Sequence, residues 1–183
     1  MKDAPMDDAT LIKECLSGNV RAQKTLFEKF APKMMGVCVR YCKTREQAED
    51  ALQEGFIKTF LKLKDFKLQG SFEGWIRRIM VNTALDLLRK EMKISSEIQP
   101  EEALSKLETQ DTILSELSAS ELVSLIRTMP DGYRVVFNMF AVEGYSHQEI
   151  AETLGVTEST SKSQYLRARA YLRERLEKEN SGK

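Results

Sequence analysis

The stretch 146–172, SHQEIAETLGVTESTSKSQYLRARAYL, holds the pattern that decides the fold. Ser146-His147-Gln148-Glu149 is a capping box: the serine hydroxyl takes a first-turn amide, and the glutamate reaches back to the serine amide. The short helix it opens is expected to bury Ile150, Ala151 and Leu154 and to leave His147 as an exposed first-turn residue. Gly155 comes next, where a tight turn needs positive φ. Val156 packs inward and Thr157 can cap a second helix. On that helix Ser161, Tyr165, Ala168 and Leu172 recur at i, i+4, i+7 and i+11, which defines one buried face. The opposite face is expected to present Thr160, Lys162, Ser163, Gln164, Arg167 and Arg169. Ser161 stands out, a hydroxyl at a buried position where a branched aliphatic is commoner. Two helices crossing this closely form a helix-turn-helix, and the second can enter a DNA major groove.

Outward from that stretch the chain reads as helix throughout. Among 183 residues only 4 are Pro and 9 are Gly, so helix-breaking residues are scarce. Leu11, Ile12, Cys15 and Leu16 share a helical face that ends at Ser17-Gly18. Asn19 can cap a long helix with Leu26, Phe27, Phe30, Met34, Val37, Cys38 and Tyr41 on its inner side. Pro32 falls inside that pattern and predicts a kink or a break near Ala31. Thr44-Arg45-Glu46-Gln47 is another capping box, opening a helix to about Lys64 that buries Ala48, Leu52, Phe56, Phe60 and Leu63. Residues 67–71 read as a loop, and an amphipathic helix runs from about Phe72 to Met92. Residues 95–119 change to Ser, Pro and acids, a linker with partial helicity. Periodicity resumes with Leu122, Leu125, Ile126 and Met129; Pro130 restarts the chain, Val135, Val136, Met139 and Phe140 form a stripe, and Gly144 stops it. The fold class is therefore all-α: two small helical domains, 1–94 and 120–183, joined by an acidic linker, 95–119.

Net charge is zero, but the charges are segregated. Residues 20–93 hold sixteen Lys/Arg against nine Asp/Glu, residues 94–120 one against six, and residues 121–183 nine against nine. A basic block, an acidic block and a mixed block in that order match the domain division. No apolar run approaches the roughly 20 residues a membrane span needs, and the acidic start Met1–Asp8 is not a secretory signal. A cytoplasmic protein without membrane insertion is expected. Three cysteines make no disulfide framework; Cys38 and Cys42 share a helical face and read as core. A single His, no Gly-rich phosphate loop, no metal cluster and no nucleophile–base pair argue against an enzyme or a cofactor.

Three blocks resemble the sigma-70 family of RNA polymerase sigma factors. Asp50-Ala51-Leu52-Gln53-Glu54 followed by Phe56 resembles its polymerase-clamp-binding helix. The run 70–79, GSFEGWIRRI, with 82–89, NTALDLLR, resembles the segment that melts and reads the −10 element. The run 129–137, MPDGYRVVF, then Glu143-Gly144-Tyr145-Ser146 and the helix-turn-helix, resembles the domain that reads the −35 element. The blocks keep the family's order, and the large middle domains of housekeeping members have no counterpart, which points to the small extracytoplasmic-function group.

The resemblance implies a promoter-recognition subunit whose partners are core RNA polymerase (β′ clamp and β flap), promoter DNA and an anti-sigma factor. It assigns Asp50, Gln53, Glu54 and Phe56 to polymerase binding. It assigns Phe72, Trp75, Arg77, Arg78, Asn82, Asp86 and Arg89 to the −10 element, and the outer face of the second helix to the −35 element. Trp75 on its own reads as core. An unstacked base needs aromatic walls and hydrogen-bonding edges, for which Phe72 and the loop before it, with Asn82, Asp86 and Arg89, are the candidates. The two promoter elements lie about 85 Å apart, and a linker of about 25 residues reaches roughly 80 Å when extended. The alternative is a stand-alone helix-turn-helix regulator, which leaves the basic first domain without a purpose.

Overall fold

The computed structural model describes residues 7–91 and 119–181, and among them there are eight α-helices and no strand. The chain divides into two compact units, Met1–Leu88 and Arg89–Lys183. The expected linker lies almost wholly outside the described residues.

The first unit holds α1 (Asp8–Leu16), α2 (Val20–Tyr41), α3 (Arg45–Lys62) and α4 (Phe72–Glu91), the last running past the division. The sequence sets each start. Asn19 Oδ1 accepts from the amides of Arg21 and Ala22 at 3.0 and 3.2 Å, and Thr44 and Gln47 complete the reciprocal box that opens α3. Gly18, at φ 83°, reverses the chain between α1 and α2. Leu11, Leu26, Met34, Ala51, Ile76 and Met80 meet in the core. Cys38 and Cys42 are buried there too, as expected, and burial with the neighbouring Cys42 pushes the Cys38 thiol up to about 12.

Of the kink or break expected near Ala31, the break does not occur, because α2 continues through Pro32. Pro32 lies on the exposed side, where the carbonyl it cannot serve faces water. Phe30 before it and Met34, Val37 and Cys38 after it bury into one core. That shared burial outweighs a proline penalty of about 3 kcal/mol.

The second unit holds α5 (Ala119–Arg127), α6 (Asp131–Phe137), a π-turn (Asn138–Val142), α7 (His147–Leu154) and α8 (Glu158–Ser181). Leu125, Ile126, Phe137, Ala168 and Leu172 form its hydrophobic cluster. The stripe expected to continue helically through Phe140 instead widens into the π-turn, which adds a residue to that turn and re-aims the chain beyond it. Gly144, at φ 77°, ends the segment. Within this small core Arg134 and Asp131 form a fully buried ion pair at 2.5 Å, and Arg134 also donates to the Met129 carbonyl at 3.3 Å.

Candidate functional site

The helix-turn-helix is built as its residues dictate. Ser146 Oγ accepts from the Glu149 amide at 3.2 Å, and the Glu149 carboxylate accepts from the Ser146 amide at 2.8 Å. Gly155 takes the left-handed conformation, φ 71° and ψ 34°, and its amide closes α7 onto Ala151. Thr157 Oγ1 accepts from the Thr160 amide at 3.0 Å and caps α8. Ser161, Ala168 and Leu172 are buried and Tyr165 half-buried, as the spacing requires.

The outer face is narrower than expected. Thr160 is 6% exposed and Gln164 2%, so neither stands on it. The reason is that α8 packs against both α6 and α7. Its buried stripe is thus two rows wide, and Thr160, Gln164 and Ala168 form the second row at i, i+4 and i+8. Thr160 Oγ1 lies 2.8 Å from Thr157 Oγ1, while Gln164 Oε1 finds no hydrogen-bond partner. What remains outside is Glu158, Ser159 and Lys162, with Ser163, Leu166, Arg167 and Arg169 half-buried. Lys162 pairs with Glu158 at 2.7 Å, which holds the Glu158 carboxyl below its ordinary range, and the Arg169 guanidinium lies 6.0 Å from the Tyr165 ring centre.

His147 is not the exposed residue expected. Its ring stacks on Phe140 at 4.2 Å between centres, meets Tyr165 edge-on at 5.9 Å, and brings Nδ1 to 2.9 Å from Ser161 Oγ. The signal in the sequence was Ser161 itself, a hydroxyl in a buried row that needed a partner.

On α3, Asp50 and Gln53 are exposed and Glu54 is half-buried, paired with Lys58 at 2.9 Å. Phe56, grouped with them by the resemblance but placed on the buried row by its spacing, is 3% exposed. It continues the Ala48–Leu52 row on the opposite side and packs on Phe27 at 4.7 Å and Phe60 at 6.3 Å. It therefore supports the ridge from behind. Sequence reasoning missed Ile57 and Leu61, which extend that ridge at i+7 and i+11 from Asp50 and are 60% and 70% exposed.

On α4, Arg78, Asn82 and Arg89 are exposed and Asp86 half-buried, along one stripe at i, i+4, i+8 and i+11. Lys58 reaches Asp86 at 3.5 Å as well as Glu54, and so joins this stripe to the ridge on α3. Arg77 turns aside to Glu73 at 3.4 Å; the shorter bond from Lys33, 2.6 Å, is the main cause that lowers the Glu73 carboxyl. Phe72, expected as a wall open to a base, is 4% exposed. Phe30, Phe66 and Trp75 enclose it at 5.4, 5.0 and 5.7 Å, because α4 begins with its aromatic residue turned toward α2. Trp75 is half-buried, stacked on Phe72. In the loop before α4, Leu68 is exposed and holds φ at 54°, an uncommon conformation for a branched residue. Among the described residues no cluster of His, Cys, Asp and Glu fits a metal ion, and no helix is long and apolar enough to cross a membrane.

Comparison with known proteins assigns the chain. Sigma-70 region 2 matches residues 26–94 and Sigma-70 region 4 matches residues 119–172. The chain is 30% identical to the ECF RNA polymerase sigma factor SigE of Mycolicibacterium smegmatis, over 85% of its own length and 62% of the relative's. It is 25% identical to the ECF RNA polymerase sigma-E factor of Haemophilus influenzae (94% and 96%) and 26% identical to SigW of Bacillus subtilis (90% and 94%). The fold is that of the sigma factor RpoE solved with the anti-sigma factor NepR from Bartonella quintana, with TM-score 0.54 and 21% identity over 87% of this chain and 98% of that one. It is also that of CnrH solved with the cytosolic domain of CnrY (TM-score 0.52, 24% identity, 93% and 97%). Two family regions in their proper order, with relatives that agree along the chain, define a transcription initiation factor. The chain belongs to the sigma-70 family, in its extracytoplasmic-function group.

Proposed function

We propose that this chain docks on core RNA polymerase through the α3 ridge, opens and reads the −10 element with α4, and reads the −35 element with α8. The observation that carries the reading is the pair of exposed polar stripes, Arg78–Asn82–Asp86–Arg89 on α4 and Lys162 with its neighbours on α8. The α4 stripe lies in the first unit as far as Asp86, with Arg89 just past the division, and the α8 stripe lies in the second. Each falls within its own family match. Arginines and lysines along such stripes fix register on phosphate, and the amide and carboxylate groups supply base-edge hydrogen bonds. The exposed Ile57 and Leu61 beside Asp50 and Gln53 give the ridge an apolar centre with a polar rim, the anatomy of a protein interface. An anti-sigma factor that covers the first unit would withhold this ridge from polymerase.

The test is transcription in vitro by core polymerase with and without the chain, with sequencing of the transcripts. Start sites sharing two spaced upstream motifs, and absent without the chain, are expected. Start sites that do not change on adding it would overturn the reading.

A further inference from the structure

The ring of His147 occupies a place none of the three contact surfaces uses. It stands at the first position of α7, sandwiched between Phe140 of the π-turn and Tyr165 of α8, with Nδ1 on Ser161 Oγ. Ser161 is fully buried, one residue before Lys162, the exposed cation of the α8 stripe. Phe140 is itself 4.6 Å from Tyr165, so three rings and one hydroxyl close a joint between π-turn, α7 and the start of α8. We propose that His147 is a positioning residue, which locks α8 through Ser161 at the angle that presents Lys162 and its neighbours to the −35 duplex. This rests on α8 being the −35 reader.

The joint is polar where an aliphatic contact would slide. A hydrogen bond fixes direction as well as distance, so α8 is held against rotation about its own axis. The bond is also sensitive to the proton on the ring. Neutral imidazole can accept the Ser161 hydroxyl at Nδ1, whereas imidazolium must donate there, and the hydroxyl must then turn away. The titratable groups around the ring are Lys162, Glu158 and the Tyr165 phenol, all on α8; the π-turn contributes Phe140. Burial of the ring, and then the Lys162 charge, favour the neutral form, against a smaller opposing pull from Glu158. The neutral form of the joint is thus complete above the ordinary His range; as pH falls through the lowered value the bond reverses, the Ser161 hydroxyl proton loses its acceptor, and the joint must readjust.

The experiment uses core polymerase carrying the full chain, and promoter DNA with the −35 motif intact or scrambled. The measured quantity is the ratio of the two affinities at pH 7.5 and at pH 5.5. Wild type is expected to lose about threefold or more of that ratio at the lower pH. His147→Asn, which keeps an amide near the Nδ1 position and does not titrate, retains most of the ratio and is flat with pH. His147→Leu lowers the ratio about five- to tenfold at both pH values, with unchanged circular dichroism. Ser161→Val restores the aliphatic residue and keeps the fold, yet lowers the ratio and removes the pH slope. A wild-type ratio in His147→Leu, or a wild-type slope in His147→Asn or Ser161→Val, would sink the proposal. Wild-type polymerase indifferent to the −35 motif at both pH values would overturn the −35 reading of α8 and this inference with it.

Discussion

The two units bury different things. The core of the first is almost wholly apolar, with Thr59 and Thr83 as its buried polar residues among those described. The second encloses Asp131, Arg134, Asn138, Thr160, Ser161 and Gln164. An apolar core tolerates shape changes with graded losses, whereas a buried charge or amide is sensitive to the loss of one partner. The surface proposed to work in the first unit is therefore separate from its core, whereas the joint proposed to position α8 lies inside the second.

The largest expected break of that contrast is Asp131→Ala, which strands the Arg134 guanidinium and should cost about 3–5 kcal/mol. Trp75 is the chain's one tryptophan and lies in the first unit, so its fluorescence reports that unit alone. The far-UV dichroism transition should move down in denaturant while the Trp75 transition stays. Equal movement of both would show that the units are not energetically separate. Replacing both partners, Asp131→Leu with Arg134→Met, should recover most of the loss.

A surface change on the first unit should have the opposite signature. Leu61→Asp is expected to weaken binding to core polymerase at least tenfold, roughly 1.4 kcal/mol, with both unfolding transitions in place. Unchanged pull-down by core polymerase would remove α3 from the docking surface.

On α8, Lys162→Ala should cost about 1–3 kcal/mol in −35 binding and relax base preference. Gln164→Leu should leave base preference alone and be neutral or slightly stabilising, since it removes an unpartnered buried oxygen. Binding-site selection on both variants checks this, and a changed motif for Gln164→Leu would return that residue to the reading face.

The smallest effect expected is that of Glu73→Gln, about 0.5 kcal/mol or less for a partly exposed pair. The Glu73 carboxyl is lowered chiefly by Lys33, so its contribution is present at neutral pH and disappears as pH falls below the ordinary carboxylate range. Melting curves of wild type and Glu73→Gln should converge below pH 4, and a gap that widens there would contradict the pairing.

The features legible in the sequence are local ones. Capping boxes at Thr44 and Ser146, the left-handed turn at Gly155 and the Ser161–Leu172 row are set by residues within a turn or two of one another. The misreadings arise from packing between distant elements. Gln164 is buried because α6 lies beside α8, and Phe72 because α2 and the Phe66 loop enclose it. Pro32 survives because the core on both sides of it is continuous. Phe56, assigned to polymerase binding by the resemblance, is buried as the Ala48–Leu52 spacing requires, since helical rotation carries it away from Glu54.

Gly55 lies between those two residues, on the buried side of α3, and a Cβ there would overlap Sδ of Met80 on α4. The missing methyl leaves room for the Met80 thioether, the flexible end of a side chain that any larger residue at 55 would have to displace. On the proposed reading one helix carries the docking ridge and the other the base-reading stripe, so this pocket for one sulfur lies beneath both. Alanine at 55 would be met first by a swing of that thioether, and the cost would fall on the packing of Met80.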